Sequence, residues 1–365
     1  MGKRPRSEDE EPQQLCAGER PRRGRLHLIV RDHMRGCTVY KLDVDGFRPD
    51  IKDDHLDSIA RSLPAHRVAI RLASPDGDQY DQFACAGSKI FAFHRDGGSM
   101  VYDSETSTVA ICPPLPAPNG THELLAVGQD IYALETTEDR SGFHTSMERL
   151  GPAPRPRSNR WEAWRWEPLP PPPVNKRPGY VSSTAAHPDG SAMFVSFSDR
   201  GTFSFDTGRL KWTRLGDWLL PFRGEAYFVR ELDAWVGLSE DQIGYIGVCQ
   251  VISPADGHHT ADPPAWTTVR ERVYSNVWKR HLSARLTYMG NAEFCLLQTV
   301  AREDYDIYRD DDPMMLLRLA TFRVERRRNR ELRAVNMRTG VYKWPRCQGE
   351  GGRPSYAAFW IGQDD

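Results

Sequence analysis

GTFSFDTGRLKW, residues 201–212, decides the fold. Phe203 and Phe205 alternate with small polar residues, the pattern of a half-buried strand, and Asp206, Thr207 and Gly208 then supply turn residues before an aromatic, Trp212, resumes the pattern. YDSETSTV, 102–109, repeats the same grammar around Asp103, and VNMRTGVYKW, 335–344, repeats it more loosely up to Trp344. Asp103 and Asp206 are expected to cap their own turns by accepting backbone N–H groups, a structural role rather than a catalytic one, while Trp212 and Val109 pack between neighbouring units.

Outward from this stretch the chain cycles through a polar loop, an apolar strand with an aromatic, a turn, a second strand, the D-x-T/E turn and a third strand. Residues 88–116 and 191–222 are the plainest copies, and 129–173, 226–251 and 283–326 continue the series. The apolar anchors Phe91, Tyr132, Phe194, Trp235 and Phe294 stand 41, 62, 41 and 59 residues apart, and the two longer intervals hold the Pro-rich segment 151–179 and the polar loop 253–264. A period of about 40 to 50 residues with four strands per unit is that of kelch-type or WD-type propellers. A lone twisted sheet leaves faces and edges bare, whereas radial stacking covers them. The expectation is an all-β, kelch-like β-propeller of about six blades. Its N-terminal hairpin, RLHLIV (25–30) with CTVYKLDVDGF (37–47), pairs with strands from 335–345 and 355–362, so that both chain ends close the ring. Two β-sandwiches would break the anchor periodicity near the middle, which persists. Ile51, His55, Ile59 and Leu63 fall on one face and predict a short helix within 51–64.

The segments LHLIVRDHMRG (26–36), GSKIFAF with MVYDSETSTV, GTFSFDTGRLKWTRLGDWLLPFRGEAYFVRELDAWVGLS, and NAEFCLL resemble a large, plant-specific, grass-expanded family of uncharacterised kelch-related proteins. The resemblance spans about 25–345 and is sharpest at GDWLLPFRG, Gly216 to Gly224. It implies a kelch-like propeller and brings no catalytic residue with it.

The composition agrees with short strands and many turns: ten Trp, thirteen Tyr, 27 Pro and 29 Gly in 365 residues. With 49 basic and 50 acidic residues the net charge is −1, so no global field draws the chain to nucleic acid or an anionic membrane. Seven scattered cysteines (16, 37, 85, 112, 249, 295, 347) form no CxxC pair and read as reduced, mostly buried thiols of an intracellular protein. No signal-peptide core follows Met1, and no apolar run is long enough to span a bilayer.

DGDQYD (76–81) lacks the later bidentate acid of a calcium loop and reads as a solvated turn, as does the acidic REDYDIYRDDDP (302–313). His258 and His259 are adjacent and cannot face one ion from regular structure. No metal or cofactor is expected. GxSxG, Walker, HExxH and GxGxxG motifs are absent from the sequence. WEAWRWEPLPPPP (161–173) reads as a strand with alternating Trp164 and Trp166 followed by a stiff exit, and FRVERRRNRELR (322–333) as a hairpin with a basic, solvated tip. Residues 1–24 carry six basic and five acidic residues with little to bury, and are expected to form a tail ahead of a propeller domain over 25–365. Lys3, Arg4 and Arg6, then Arg20, Arg22 and Arg23, form two basic clusters spaced like a bipartite nuclear import signal, which favours the nucleus over the cytoplasm.

Together these features point to a non-enzymatic interaction scaffold for a protein partner. Two rivals stand beside it. One is a ubiquitin-ligase substrate receptor working through a separate adaptor, because residues 1–24 show no apolar helical pattern for adaptor binding. The other is a hydrolase or lyase with an active site in the axial funnel, which requires ionisable side chains with shifted pKa values to converge there.

Overall fold

The computed structural model describes residues 24–32, 36–49, 56–64, 67–70, 80–94, 98–116, 121–139, 142–152, 164–174, 180–252, 262–275, 280–303, 315–344 and 356–362. The alternating residues of 201–216 form a hairpin in which Phe205 stands opposite Trp212. Asp206 holds the turn by accepting the Gly208 and Arg209 amides at 3.0 and 2.7 Å. Asp103 does the same for Glu105 and Thr106 at 3.0 and 3.4 Å. The third copy departs from this grammar: 335–343 forms no turn but lies within one long strand, Leu332–Lys343, which bulges at 336–337 with Asn336 in the left-handed region. Arg338 and Thr339 replace the Asp-led pair there, so no carboxylate is placed to gather the amides of a turn.

Among the described residues the strands form five sheets, of four, four, eight, five and four strands; the eight-stranded one is two antiparallel meanders joined by a parallel pairing of Ser183–Ala185 with Gly224–Ala226, so six antiparallel meanders can be followed along the chain. The first combines β1 (Gly24–Asp32), β2 (Gly36–Leu42) and, after the two-residue β3 (Arg48–Pro49) and α1 (Leu56–Ile59), β4 (Arg67–Ile70). The second is β5 (Tyr80–Ala86), β6 (Lys89–His94), β7 (Ser99–Asp103) and β8 (Thr108–Cys112). The third is β9 (Thr121–Val127), β10 (Asp130–Asp139), β11 (Gly142–Pro152) and β12 (Trp164–Leu169). The fourth is β13 (Val181–Ala186), β14 (Ala192–Phe197), β15 (Gly201–Asp206) and β16 (Lys211–Gly216). The fifth is β17 (Gly224–Val229), β18 (Ala234–Leu238), β19 (Ile246–Gln250) and β20 (Trp266–Thr268). The sixth is β21 (His281–Tyr288), β22 (Glu293–Ala301), β23 (Met315–Arg326) and β24 (Leu332–Lys343). The last strand, β25 (Tyr356–Gly362), returns to the first meander and pairs with β1, Leu26 against Trp360 and Val30 against Tyr356.

Two expectations need correction. Of the stretch 335–345, the strand part up to Lys343 does not join the N-terminal hairpin; it pairs with β23 and, at Arg338 and Thr339, with β3, because a twelve-residue β23 needs a partner of equal length. The described part of the helix expected over 51–64 is the single turn Leu56–Ile59, buried through Leu56 against Leu316 and Val341. Residues 51–55 lie outside the described part.

The innermost strands touch in a cyclic order: β25 against β5, β5 against β9, β9 against β13, β13 against β17, β17 against β21, and β21 against β25. Six buried clusters follow the same order. Phe91 and Ile131 share one between the second and third meanders, Tyr132 and Phe205 one between the third and fourth, and Phe194 and Trp235 one between the fourth and fifth. Val236 and Phe294 join the fifth and sixth, Leu28 and Leu317 the sixth and first, and Ile29 and Ile90 the first and second. Alternate residues of each strand therefore serve two different cores, so each meander depends on both of its neighbours for burial. Phe194 meets Trp235 edge-on at 4.8 Å, an arrangement that adds to the area buried. Gly216 to Gly224 fits this scheme through Phe222, whose ring lies where a Cβ on Gly237 would come within 2.8 Å. Only glycine admits that ring against β18.

Candidate functional site

The inner strands enclose a cavity of about 490 Å3. Its walls carry Phe83 and Cys85 from β5, Leu124 from β9, Glu225 and Tyr227 from β17, Arg285 and Tyr288 from β21, and Phe359 and Trp360 from β25. Strand alternation explains the mixture, because a residue that faces away from one inter-meander core either enters the next or meets the cavity. Tyr227 Oη lies 2.9 Å from the Glu225 carboxyl and 3.0 Å from the Leu286 carbonyl, two acceptors for one hydrogen. Burial raises the Glu225 carboxyl above the usual range, against the pull of the Tyr227 hydroxyl and the Arg285 guanidinium. Burial likewise pushes the Tyr227 phenol well up, and Glu225 adds to the effect. Glu123 on β9 is raised by burial to about 7 while Arg285 draws it down. Both glutamates nonetheless keep solvent-exposed surface. The Cys85 thiol is pushed to about 12, by burial first and Glu225 second, and stays protonated at neutral pH. The Arg285 guanidinium lies over the Tyr356 ring at 6.0 Å.

A second feature lies at the outer edge of the second meander. Among the described residues β8 pairs with β7 alone. Its residues Thr108 to Ile111 are all exposed, Val109 at 43% and Ile111 at 71%. Val109 was expected between units, and its exposure corrects that reading: among the described residues no neighbouring segment covers it as Pro170 and its neighbours cover Trp212. The Trp212 indole donates to the Pro170 carbonyl at 2.8 Å and packs, half-buried, on Phe205 and the core of the third and fourth meanders.

The remaining sequence candidates are placed as follows. Asp103 also accepts from the Ser88 hydroxyl at 3.1 Å and faces the Lys89 ammonium at 3.4 Å. Burial opposes its ionisation, but these contacts and the turn amides together hold its carboxyl below the usual range. Trp344 is buried against Tyr356. The structure does not bring Asp103, Asp206, Trp212 and Trp344 to one place: they mark two turn tips, one inter-meander seam and another. The basic tip of 322–333 lies between β23 and β24, closed by the Arg327 amide on the Glu331 carbonyl. Lys3, Arg4, Arg6, Arg20, Arg22 and Arg23 lie outside the described residues, as do His258, His259 and most of both acidic clusters. Among the described residues no group of three metal-ligating side chains occurs, and no helix is long and apolar enough to cross a membrane.

Glu123, Glu225 and Arg285 were missed because a lone charged residue within a strand does not show in sequence whether it meets solvent or a cavity. A signal existed: they stand nine, ten and nine residues before the anchors Tyr132, Trp235 and Phe294.

A family model described as a protein of unknown function, DUF1668, matches residues 23–342. The chain belongs to this family. No curated protein matches the DUF1668 chain. Among solved structures it is similar to the β-propeller domain of Cps50 (Swd1) from Myceliophteria thermophila, at 9% identity and TM-score 0.41, covering 89% of each chain. It is also similar to a protein of unknown function from Bacteroides thetaiotaomicron VPI-5482, at 9% identity and TM-score 0.40, covering 80% of this chain and 76% of that one. A third is YCF48 bound to D1 peptide, at 10% identity and TM-score 0.38, covering 86% and 81%.

Proposed function

We propose that the six meanders are blades of a kelch-like β-propeller joined by β25 and β1, and that the chain works by binding a protein partner rather than by turnover. The cyclic contact of the inner strands and the six shared cores support the ring. The observation that carries the binding role is the bare edge of β8, a strand with apolar Val109 and Ile111 exposed and hydrogen bonds on one side only. Unpaired strand edges template a further strand, and natural proteins usually blunt them with charge, proline or cover. An extended partner segment added there gains main-chain hydrogen bonds, with Val109 and Ile111 selecting its side chains. Affinity purification with mass spectrometry tests this: a partner held by the wild type should be lost from Ile111→Lys at unchanged melting temperature. An identical partner set from both would refute the β8 edge. Adaptor subunits among the partners would make the chain a ligase receptor.

A hydrolase or lyase reading has the raised carboxyls of Glu123 and Glu225 in its favour. Against it, the cavity's thiol, Cys85, is held protonated, so it supplies no nucleophile at neutral pH. Nuclear residence belongs to the proposal through the two basic clusters. Residues 1–24 fused to a cargo too large to diffuse should carry it into the nucleus, and a cytoplasmic cargo would remove that assignment.

A further inference from the structure

The cavity between the inner strands holds opposite charges on the neighbouring strands β17 and β21 without an ion pair between them. Glu225 on β17 and Arg285 on β21 both line it, and among the described residues Arg285 has no carboxylate in ion-pair contact. Its planar fork of donors lies over the Tyr356 ring instead. One oxygen of Glu225 meets the Tyr227 hydroxyl; the other has no hydrogen-bond partner among the described residues. Charges left apart at the wall of a cavity gain when each acquires a charge-assisted partner. An anion alone would satisfy Arg285 but stand against Glu225, and a cation alone would do the reverse. The rest of the wall mixes apolar Phe83, Leu124 and Phe359 with polar Ser88, Glu105 and Thr287. At about 490 Å3 the space lies within the range of small-molecule sites.

We propose that this cavity binds a small zwitterion, a molecule bearing a carboxylate for Arg285 and an ammonium for Glu225 on an apolar body, as a free apolar amino acid does. The carboxylate meets the guanidinium fork in two parallel hydrogen bonds, and the ammonium donates to the open oxygen of Glu225. The site shares no residue with the β8 edge, so either proposal can fail without the other.

The test is calorimetric titration of the full chain at pH 7.5 with L-leucine and L-phenylalanine, and with two single-charge analogues, 3-methylbutylamine and 4-methylpentanoate. At least one amino acid should bind at a single site, and each analogue should bind about tenfold more weakly or worse. Arg285→Met should remove the advantage over the amine, and Glu225→Gln the advantage over the acid, while Ile111→Lys leaves binding unchanged. The analogue series needs only the wild type, so a misfolded variant does not blunt the test. No binding of either amino acid up to about 10 mM, weaker than nearly all specific ligands, would overturn the proposal. An analogue binding as tightly as the amino acid would also overturn it and assign the cavity to a simple cation or anion.

Discussion

Two strand edges of this molecule are handled in opposite ways. β1, close to the start of the described chain, is hydrogen-bonded on both sides, to β2 and to β25, and seats His27 at 3% exposure. β8, in the body of the chain, is bonded on one side and leaves Ile111 71% exposed. Termini usually fray and internal strands usually do not. The reversal teaches that protection here follows position in the cycle of meanders rather than position in the sequence. An edge that joins neighbours is sealed, and an outer edge is covered only where a passing segment reaches it. β16 shows the intermediate case, with Trp212 covered by the Pro170 carbonyl and its neighbours.

The sharpest way to break the comparison is to remove the sealed edge. Deleting residues 1–31 takes away most of β1 and should abolish cooperative unfolding, while deleting 1–22 should leave the melting temperature unchanged; equal melting curves would make β1 dispensable.

His27 provides a graded version. Its Nδ1–H donates to the Arg25 carbonyl at 3.1 Å, and its Nε2 has no partner among the described residues. Burial lowers its pKa to about 4, with Lys41 adding to the effect and the Arg25 hydrogen bond opposing it. Above pH 6.5 both folded and unfolded chains keep the ring neutral. Between 6.5 and 4 the unfolded chain takes up a proton that the folded chain refuses, so stability falls by up to about 3 kcal/mol. Chemical denaturation of His27→Gln at pH 7 and 4.5 should show a smaller acid loss than the wild type, and equal losses would place His27 in contact with water.

Trp212→Ala tests the intermediate edge. A fully buried Trp loses about 3 to 5 kcal/mol on truncation, and half-burial reduces the expectation to about 2. A loss below about 0.5 kcal/mol would mean that the Pro170 segment does not cover β16. The smallest effect belongs to the bare edge: Ile111→Ser should change stability by less than about 0.5 kcal/mol.

How far the sequence foretold this depends on which strand of a meander is considered. The anchors Phe91, Tyr132, Phe194, Trp235 and Phe294 all fall on second strands, β6, β10, β14, β18 and β22, and all are buried, because a strand enclosed on both faces reads as a clear apolar run. The innermost strands were obscure. β13, VSSTAA, looks like a loop, and its Ser183 and Thr184 are buried only because the adjoining strands enclose them. Cavity residues share that difficulty: Glu225 and Arg285 lie sixty residues apart, and only the packing of β17 beside β21 brings them to one cavity. The exposure of Val109 was illegible for the complementary reason, since the D-x-T/E turn fixes a hairpin locally and does not determine what covers its far strand.

Native-state amide hydrogen exchange tests the contrast between sealed and bare edges in one experiment. The account predicts that β1 amides, Leu26 to Val30, exchange only through global unfolding, as slowly as those of β14 and β18, while the amides of β8 not bonded to β7 exchange orders of magnitude faster. Exchange in β1 as fast as in β8 would contradict the joining of β25 to β1 and with it the proposed ring of six blades.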